Sequence, residues 1–225
     1  MLRRFSKLKG SALGSLPELT PEQIDELELA NGLRQYDRMM SLIEESIRPG
    51  ASFKLRPSSI SELNRLAVEG LEPGPGSYRT FEMEIEGSQH EPPPWRNVPD
   101  LVERMCDYVN ENWASATPIH LAAYVMWRLN WIHPFTNGNG RTSRAVSYLV
   151  LCVKLNSLLP GRPAIPEAIA GAKNEYYAAL DAADAAARKD LLDVSKMEAL
   201  LGGHLASQLL SVVEGATGTP LAPQG

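Results

Sequence analysis

Trp131-Ile132-His133-Pro134-Phe135-Thr136-Asn137-Gly138-Asn139-Gly140-Arg141-Thr142-Ser143-Arg144 decides how the rest of the chain is read. A histidine stands just before a turn holding Gly138 and Gly140, residues that reach positive φ at little cost and let a ligand approach the backbone. An apolar run from Ala145 follows at once, so the turn opens directly into a helix. The first amides of a helix have no intrahelical acceptor and the macrodipole adds partial positive charge, which makes this geometry an anion site. Arg141 and Arg144, three apart, fall on one face of the first helical turn, with planar forks suited to phosphate oxygens. His133 stands at the rim, the residue type that exchanges protons near neutral pH.

The helices expected on either side are apolar all round. Thr117-Pro118 caps one that continues to about Asn130, carrying Ile119, Leu121, Tyr124, Val125, Met126, Trp127 and Leu129; the other runs from Thr142 to about Asn156 with Val146, Tyr148, Leu149, Val150, Leu151 and Val153. Such helices are buried on every side. Two of them flanking one polar turn hold it rigid. Phe135, Trp127 and Trp131 read as packing residues around that turn, the tryptophans also as the wall of a pocket beside it.

Further out, Thr20-Pro21-Glu22-Gln23 is a capping box that starts a helix running to about Ile47, ended by Pro49-Gly50. Ser59-x-x-Glu62 reads as a second capping box, opening a short helix through Val68. Glu72-Pro73-Gly74-Pro75-Gly76-Ser77 is a loop by its punctuation. Tyr78 to Glu86 then alternates, with Phe81, Met83 and Ile85 opposite Thr80, Glu82, Glu84 and Glu86: the pattern of a half-buried strand, turned by Gly87-Ser88 and ended on its return by Pro92-Pro93-Pro94. Val98 to Trp113 is amphipathic at helical spacing. After the break at Pro160-Gly161-Arg162-Pro163 come two helices, one alanine-rich from about Pro166 to Asp190, one from about Asp193 past Gly202-Gly203.

The 225 residues suit one large domain. Apolar residues make up 44% and charged residues 22%, as in ordinary globular proteins. A net charge of −5 argues against nucleic acid or a membrane surface as partner. Cys106 and Cys152 lie apart in apolar helical patterns, as core thiols of a reducing compartment do. With no leader pattern and no apolar run long enough to span a bilayer, the cytoplasm of a bacterium is the expected location, export by a signal-less route staying open.

His133-Pro134-Phe135-x-x-Gly138-Asn139-Gly140-Arg141-x-x-Arg144 resembles the signature of Fic (Fido) domains, HPFx(D/E)GNGRxxR, whose members mostly transfer AMP from ATP to a protein hydroxyl. Every fixed position but one matches: Asn137 stands where the family has an acidic residue. The resemblance implies an all-α fold, a Fic-type helical bundle with a small β-hairpin flap. It divides the chain into a flexible arm (1–19), N-terminal helices (20–70), a Fic core with its flap at 78–93 and its C-terminal helices (71–214), and a disordered tail (215–225). Pro75-Gly76-Ser77-Tyr78-Arg79 and Gly87-Ser88-Gln89-His90 resemble the flap's entry and tip. In the family the flap backbone holds a target segment by strand addition. The implied partner is a protein substrate, this chain itself included, and a homodimer fits the family.

The resemblance also assigns roles. His133 is the general base for a Ser, Thr or Tyr hydroxyl attacking the α-phosphorus of ATP. The Gly138, Asn139 and Gly140 amides cradle phosphates, and Arg141 and Arg144 hold the outer ones. Residue 137 helps bind the Mg2+, or Mn2+, that bridges them; asparagine keeps an oxygen but loses the charge, so metal affinity falls. Three outcomes stay open: metal held mainly by phosphates and water, a changed donor or reaction (the family also transfers UMP, phosphate and phosphocholine, and removes AMP), or nucleotide binding without turnover. Some family members carry an inhibitory (S/T)xxxE(G/N) helix whose glutamate blocks the second arginine. Glu26-Leu27-Glu28-Leu29-Ala30-Asn31 aligns there without the hydroxyl and with Ala30 for the glutamate, so inhibition of that kind is not expected. Tyr177 falls beside the base pocket by resemblance and in the core by spacing.

Overall fold

The computed structural model describes residues 19–85 and 87–217; residues 1–18 of the expected arm and 218–225 of the expected tail lie outside them. The described chain is helical: α1 (Pro21–Ser46), α2 (Pro57–Val68), a 3-10 turn (Trp95–Asn97), α3 (Val98–Glu111), α4 (Pro118–Ile132), α5 (Asn139–Lys154), α6 (Ile165–Gly171), α7 (Lys173–Ala187) and α8 (Ser195–Thr217). The all-α expectation stands.

Helices α4 and α5 form the centre. Leu121, Val125, Leu129 and Ile132 of one and Val146, Leu149, Val150 and Cys152 of the other are buried, each aliphatic contributing about 1.5–3 kcal/mol by leaving water. The Ser147 hydroxyl answers its own burial by donating to the Ala122 carbonyl at 2.8 Å. Around this pair α1 and α2 cover one side, α3 another, and α7 and α8 the rest. Burial pushes the Cys106 thiol up to about 12 and the Cys152 thiol up to about 11, as core positions require.

Local signals explain most helix starts. The Thr20 capping box is formed in both directions, Thr20 N–H donating to Gln23 at 2.8 Å and Gln23 N–H to Thr20 Oγ1 at 3.3 Å. Thr117 caps α4 through the His120 amide. The second expected box is not formed: α2 starts at Pro57, behind an extended Arg56 that takes the N-cap place expected of Ser59 without a side-chain cap. Proline's fixed φ and missing N–H suit the first helical position, and Glu62 is left to pair with Arg38 at 2.8 Å. The single alanine-rich helix is broken into α6 and α7 at Ala172, just past Gly171. Helix α8 runs through Gly202-Gly203 without a break.

The β-hairpin over 78–93 is corrected as to pairing. Its described residues alternate as expected, Phe81, Met83 and Ile85 half-buried and Thr80, Glu82 and Glu84 exposed, but they are extended and turn backbone with no strand assigned. A lone two-stranded hairpin is marginal in water. Side chains fasten the segment instead. The buried Arg79 guanidinium donates to the carbonyls of Phe81 at 3.1 Å, His133 at 2.9 Å and Pro93. Near the other end, His90 Nε2 lies 2.7 Å from the Trp131 carbonyl.

Candidate active site

Helix α4 ends at His133, which has φ 50° and ψ 58°, the left-handed region. A non-glycine residue there costs on the order of 1–3 kcal/mol and persists only where its surroundings hold it. Here its N–H donates to the Leu129 carbonyl at 3.0 Å and its carbonyl accepts from Arg79 Nε at 2.9 Å. The Arg79 amide adds a bond to the Pro134 carbonyl at 2.8 Å. Pro134 cannot continue a helix, so the chain leaves α4 with the imidazole set at the turn.

The turn is over-determined in the same way. The Asn139 side chain spans it, accepting from the Phe135 amide at 3.0 Å and donating to the Phe135 carbonyl at 2.8 Å, with Phe135 buried beneath. Gly138 is at φ 75°, and a Cβ there would stand 2.6 Å from Val68 Cγ1 and 3.0 Å from Asn64 Nδ2. Only glycine meets both conditions. Asn64, buried on α2, ties three segments together: its amide donates to the Asn137 carbonyl at 2.9 Å and to Thr142 Oγ1 at 3.1 Å, and its oxygen accepts from the Gly76 amide.

A cavity of about 190 Å³ opens beside the turn, lined by His133, Gly140 and Arg144 together with Trp131, Tyr176 and Tyr177 and, from the 85–90 segment, Ile85, Ser88 and His90. Its floor is polar and bonded: Asn130 Nδ2 reaches Ser143 Oγ at 2.8 Å and Tyr176 OH at 2.7 Å. Tyr176 is the packed aromatic of the pair. Tyr177 is 43% exposed and lines the cavity, so the core placement that spacing favoured belongs to its neighbour. Trp127 is core and donates to Asp184 at 2.8 Å, while Trp131 is the wall.

The structure thus brings His133, Gly140 and Arg144 to one cavity, while Arg141 and Asn137 make their contacts with other elements. Arg141 pairs with Glu28 of α1, Nη1 to Oε1 at 3.4 Å. Burial lowers the Arg141 pKa and Glu28 opposes that shift. An acidic side chain from the aligned α1 segment therefore does meet a motif arginine, though it is Glu28 rather than residue 30, and the first arginine rather than the second. Asn137 Oδ1 accepts from the Gly138 amide at 2.7 Å, capping one of the amides expected to cradle phosphate. Its Nδ2 donates to Glu72 Oε1 at 3.1 Å. Glu72 is 7% exposed, accepts also from Thr136 Oγ1 at 3.3 Å, and has its pKa raised by burial against the pull of those two bonds and of Arg141.

Arg79, Asn64 and Glu72 were not among the expected site residues. Two of them leave a trace in the sequence. Arg79 shares the odd-numbered face with Phe81 and Met83, a cation on an apolar face; Asn64 shares the buried face of α2 with Ile60 and Ala67. Glu72 leaves none.

An imidazole, a glycine turn and two guanidiniums stand at or near one helix start, donors and positive charge of the kind that suit an anion. The Fic/DOC family matches residues 54–151, so this part of the chain is a Fic-type domain. The protein adenylyltransferase Fic of Drosophila willistoni is 34% identical over 123 residues, 54% of this chain and 24% of that protein. The chain thus spans about a quarter of the length of the curated relatives it matches. Among solved structures, Fic-1 from C. elegans superposes with a TM-score of 0.66 at 21% identity, covering 92% of this chain and 56% of that one. A Fic family protein from Desulfovibrio desulfuricans gives 0.64 at 21% identity, covering 92% and 57%. At that identity the structures speak for the fold.

Proposed function

We propose that this chain transfers AMP from ATP to a Ser, Thr or Tyr hydroxyl of a protein and releases pyrophosphate. The observation that carries the reading is His133 locked in a left-handed turn beside the cavity that it shares with Gly140 and Arg144; the adenylyltransferase named among the relatives supports it. The nucleoside lies in the cavity between Tyr177 and Trp131, and the phosphates run along the start of α5 toward Arg141. His133 Nδ1 is shut off from solvent, which leaves the Nε2 edge of the ring for the cavity. There it takes the hydroxyl proton as the oxygen bonds to the α-phosphorus and the bond to the β-phosphate oxygen breaks. A base so placed is worth roughly 10²–10⁴-fold in rate. Arg141 and Arg144 stabilise the pyrophosphate as charge grows on it.

The protein oxygens around residue 137 fit a metal only in part, since the Asn137 oxygen is neutral and already accepts the Gly138 amide. Among the described residues no three acidic, histidine or cysteine side chains gather into a metal site. Mg2+ therefore enters as part of the substrate, Mg·ATP, lending charge neutralisation to the phosphates. The extended backbone of 80–85 offers the target an edge to pair with, completing the ladder that the segment lacks alone.

The test is labelling of a lysate, and of the protein itself, with ATP carrying the label at the α or the γ position. Label from the α position on protein, lost in His133→Ala, is expected. Label from γ only, or none with nucleotide binding intact, rejects the reading.

A further inference from the structure

Asn137 is the one departure from the family pattern, and the structure sets a carboxylate directly against it. The Asn137 amide nitrogen donates to Glu72 Oε1 at 3.1 Å while its oxygen faces two donors, the Gly138 amide at 2.7 Å and Arg141 Nη2 at 3.5 Å. A carboxamide can be reversed end for end, so this orientation needs a cause. Glu72 supplies it: reversal would set the amide oxygen against a carboxylate and the amide nitrogen against an N–H and a guanidinium, three mismatches at once. Glu72 is itself held, by Thr136 Oγ1 at 3.3 Å and by near-complete burial.

We propose that Glu72 is a positioning residue for the metal–nucleotide complex: it fixes the Asn137 oxygen toward the helix start and places, one side chain behind it, the negative charge that residue 137 lacks. The charge of the family's acidic position is displaced onto the 69–77 loop. This rests on the nucleotide reading above. Outer partners of this kind, which orient and polarise an inner oxygen, typically account for about 10–100-fold in metal affinity. The pair is also mutually exclusive in charge. An aspartate at 137 would put one of its oxygens where the amide nitrogen now meets Glu72, two like charges in contact, so Asn137→Asp alone damages the site and Asn137→Asp with Glu72→Gln repairs it.

The experiment measures binding of a non-hydrolysable ATP analogue by calorimetry, in Mn2+ and in EDTA, together with the spin-resonance signal of bound Mn2+, for the native protein, Glu72→Gln, Asn137→Asp and the double variant. Glutamine at 72 still accepts the Asn137 amide, so Glu72→Gln removes charge and little else. Expected are a tenfold or greater loss of Mn2+-dependent affinity in Glu72→Gln with binding in EDTA unchanged, a lowered unfolding midpoint in Asn137→Asp, and recovery of both in the double variant. Should Glu72→Gln fail to fold, the double variant, which keeps one carboxylate in the pair, carries the test. Metal dependence unaltered in folded Glu72→Gln, or Asn137→Asp alone matching the double variant, overturns the proposal for Glu72. A native protein that binds the analogue in neither buffer overturns the nucleotide reading and the proposal with it.

Discussion

The Glu28–Arg141 pair predicts a measurable brake on nucleotide binding. A ligand that uses Arg141 has first to displace Glu28, whose Oε1 lies 3.4 Å from Nη1. At an effective dielectric near 20 the bare attraction at that distance is about 5 kcal/mol, but solvent returns most of it: the Glu28 side chain is 40% exposed and that of Arg141 24%. Exposed pairs retain about 0.2–1 kcal/mol, and the deeper seat of Arg141 places this one near the upper end. Glu28→Ala is therefore expected to tighten binding of a non-hydrolysable ATP analogue by about fivefold, the equivalent of about 1 kcal/mol. Calorimetry at low ionic strength reads this directly, and the gain should shrink in about 0.5 M salt, where exposed charges are screened. Glu26→Ala, exposed two residues earlier on the same helix, is the control and should not move affinity. Unchanged or weaker binding in Glu28→Ala would show that Arg141 does not reach the nucleotide, and the assignment of outer phosphates to it would be abandoned.

Two further outcomes follow from how the turn is held. Gly138→Ala meets an unfavourable φ of 75° and a contact of 2.6 Å with Val68 at once; a loss of about 2–4 kcal/mol in urea unfolding is expected, with Asn139→Ala, which removes only the side-chain staple, costing less. Arg79→Ala strips donors from the carbonyls of Phe81, Pro93 and His133. Buried acceptors left bare cost about 1–3 kcal/mol each where water does not refill them, so lower stability is expected together with faster cleavage of the 80–92 segment by a broad-specificity protease; cleavage at the native rate would show that something else anchors it.

What the sequence made legible is what rests on local chemistry. Thr20, Thr117 and Pro118 name their helix starts because capping is a matter of three or four adjacent residues, and the all-round apolar character of α4 and α5 names the core because burial on every face permits no other pattern. The 78–86 alternation was equally legible, and over 80–85 the burial is as expected; strand pairing was not, because pairing depends on a second segment whose register no local pattern fixes. The same limit explains the site. His133, Gly140 and Arg144 could be placed together from one contiguous motif, whereas Arg79, Asn64, Glu28 and Glu72 reach it from 54, 73, 113 and 65 residues away along the chain.

That separation bears on how the departure at residue 137 is to be judged. Read alone, Asn137 is a charge deleted from a phosphate site, and restoring it looks like a repair. Placed against Glu72, it is one half of a pair in which a neutral oxygen accepts the Gly138 amide at the helix start and the charge stands behind, and adding a second carboxylate sets like charges about where a hydrogen bond of 3.1 Å now stands. Arg141 sharpens the point, since the same guanidinium lies near the Asn137 oxygen, feels Glu72 and is held by Glu28. On the function proposed above, a nucleotide that displaces Glu28 brings phosphate oxygens to Arg141 in place of the carboxylate. On that same proposal, phosphate reaches Arg141 by taking the place of an anion already there, and α1 and the 69–77 loop bear on the site through Glu28 and Glu72 as the motif does through its own residues.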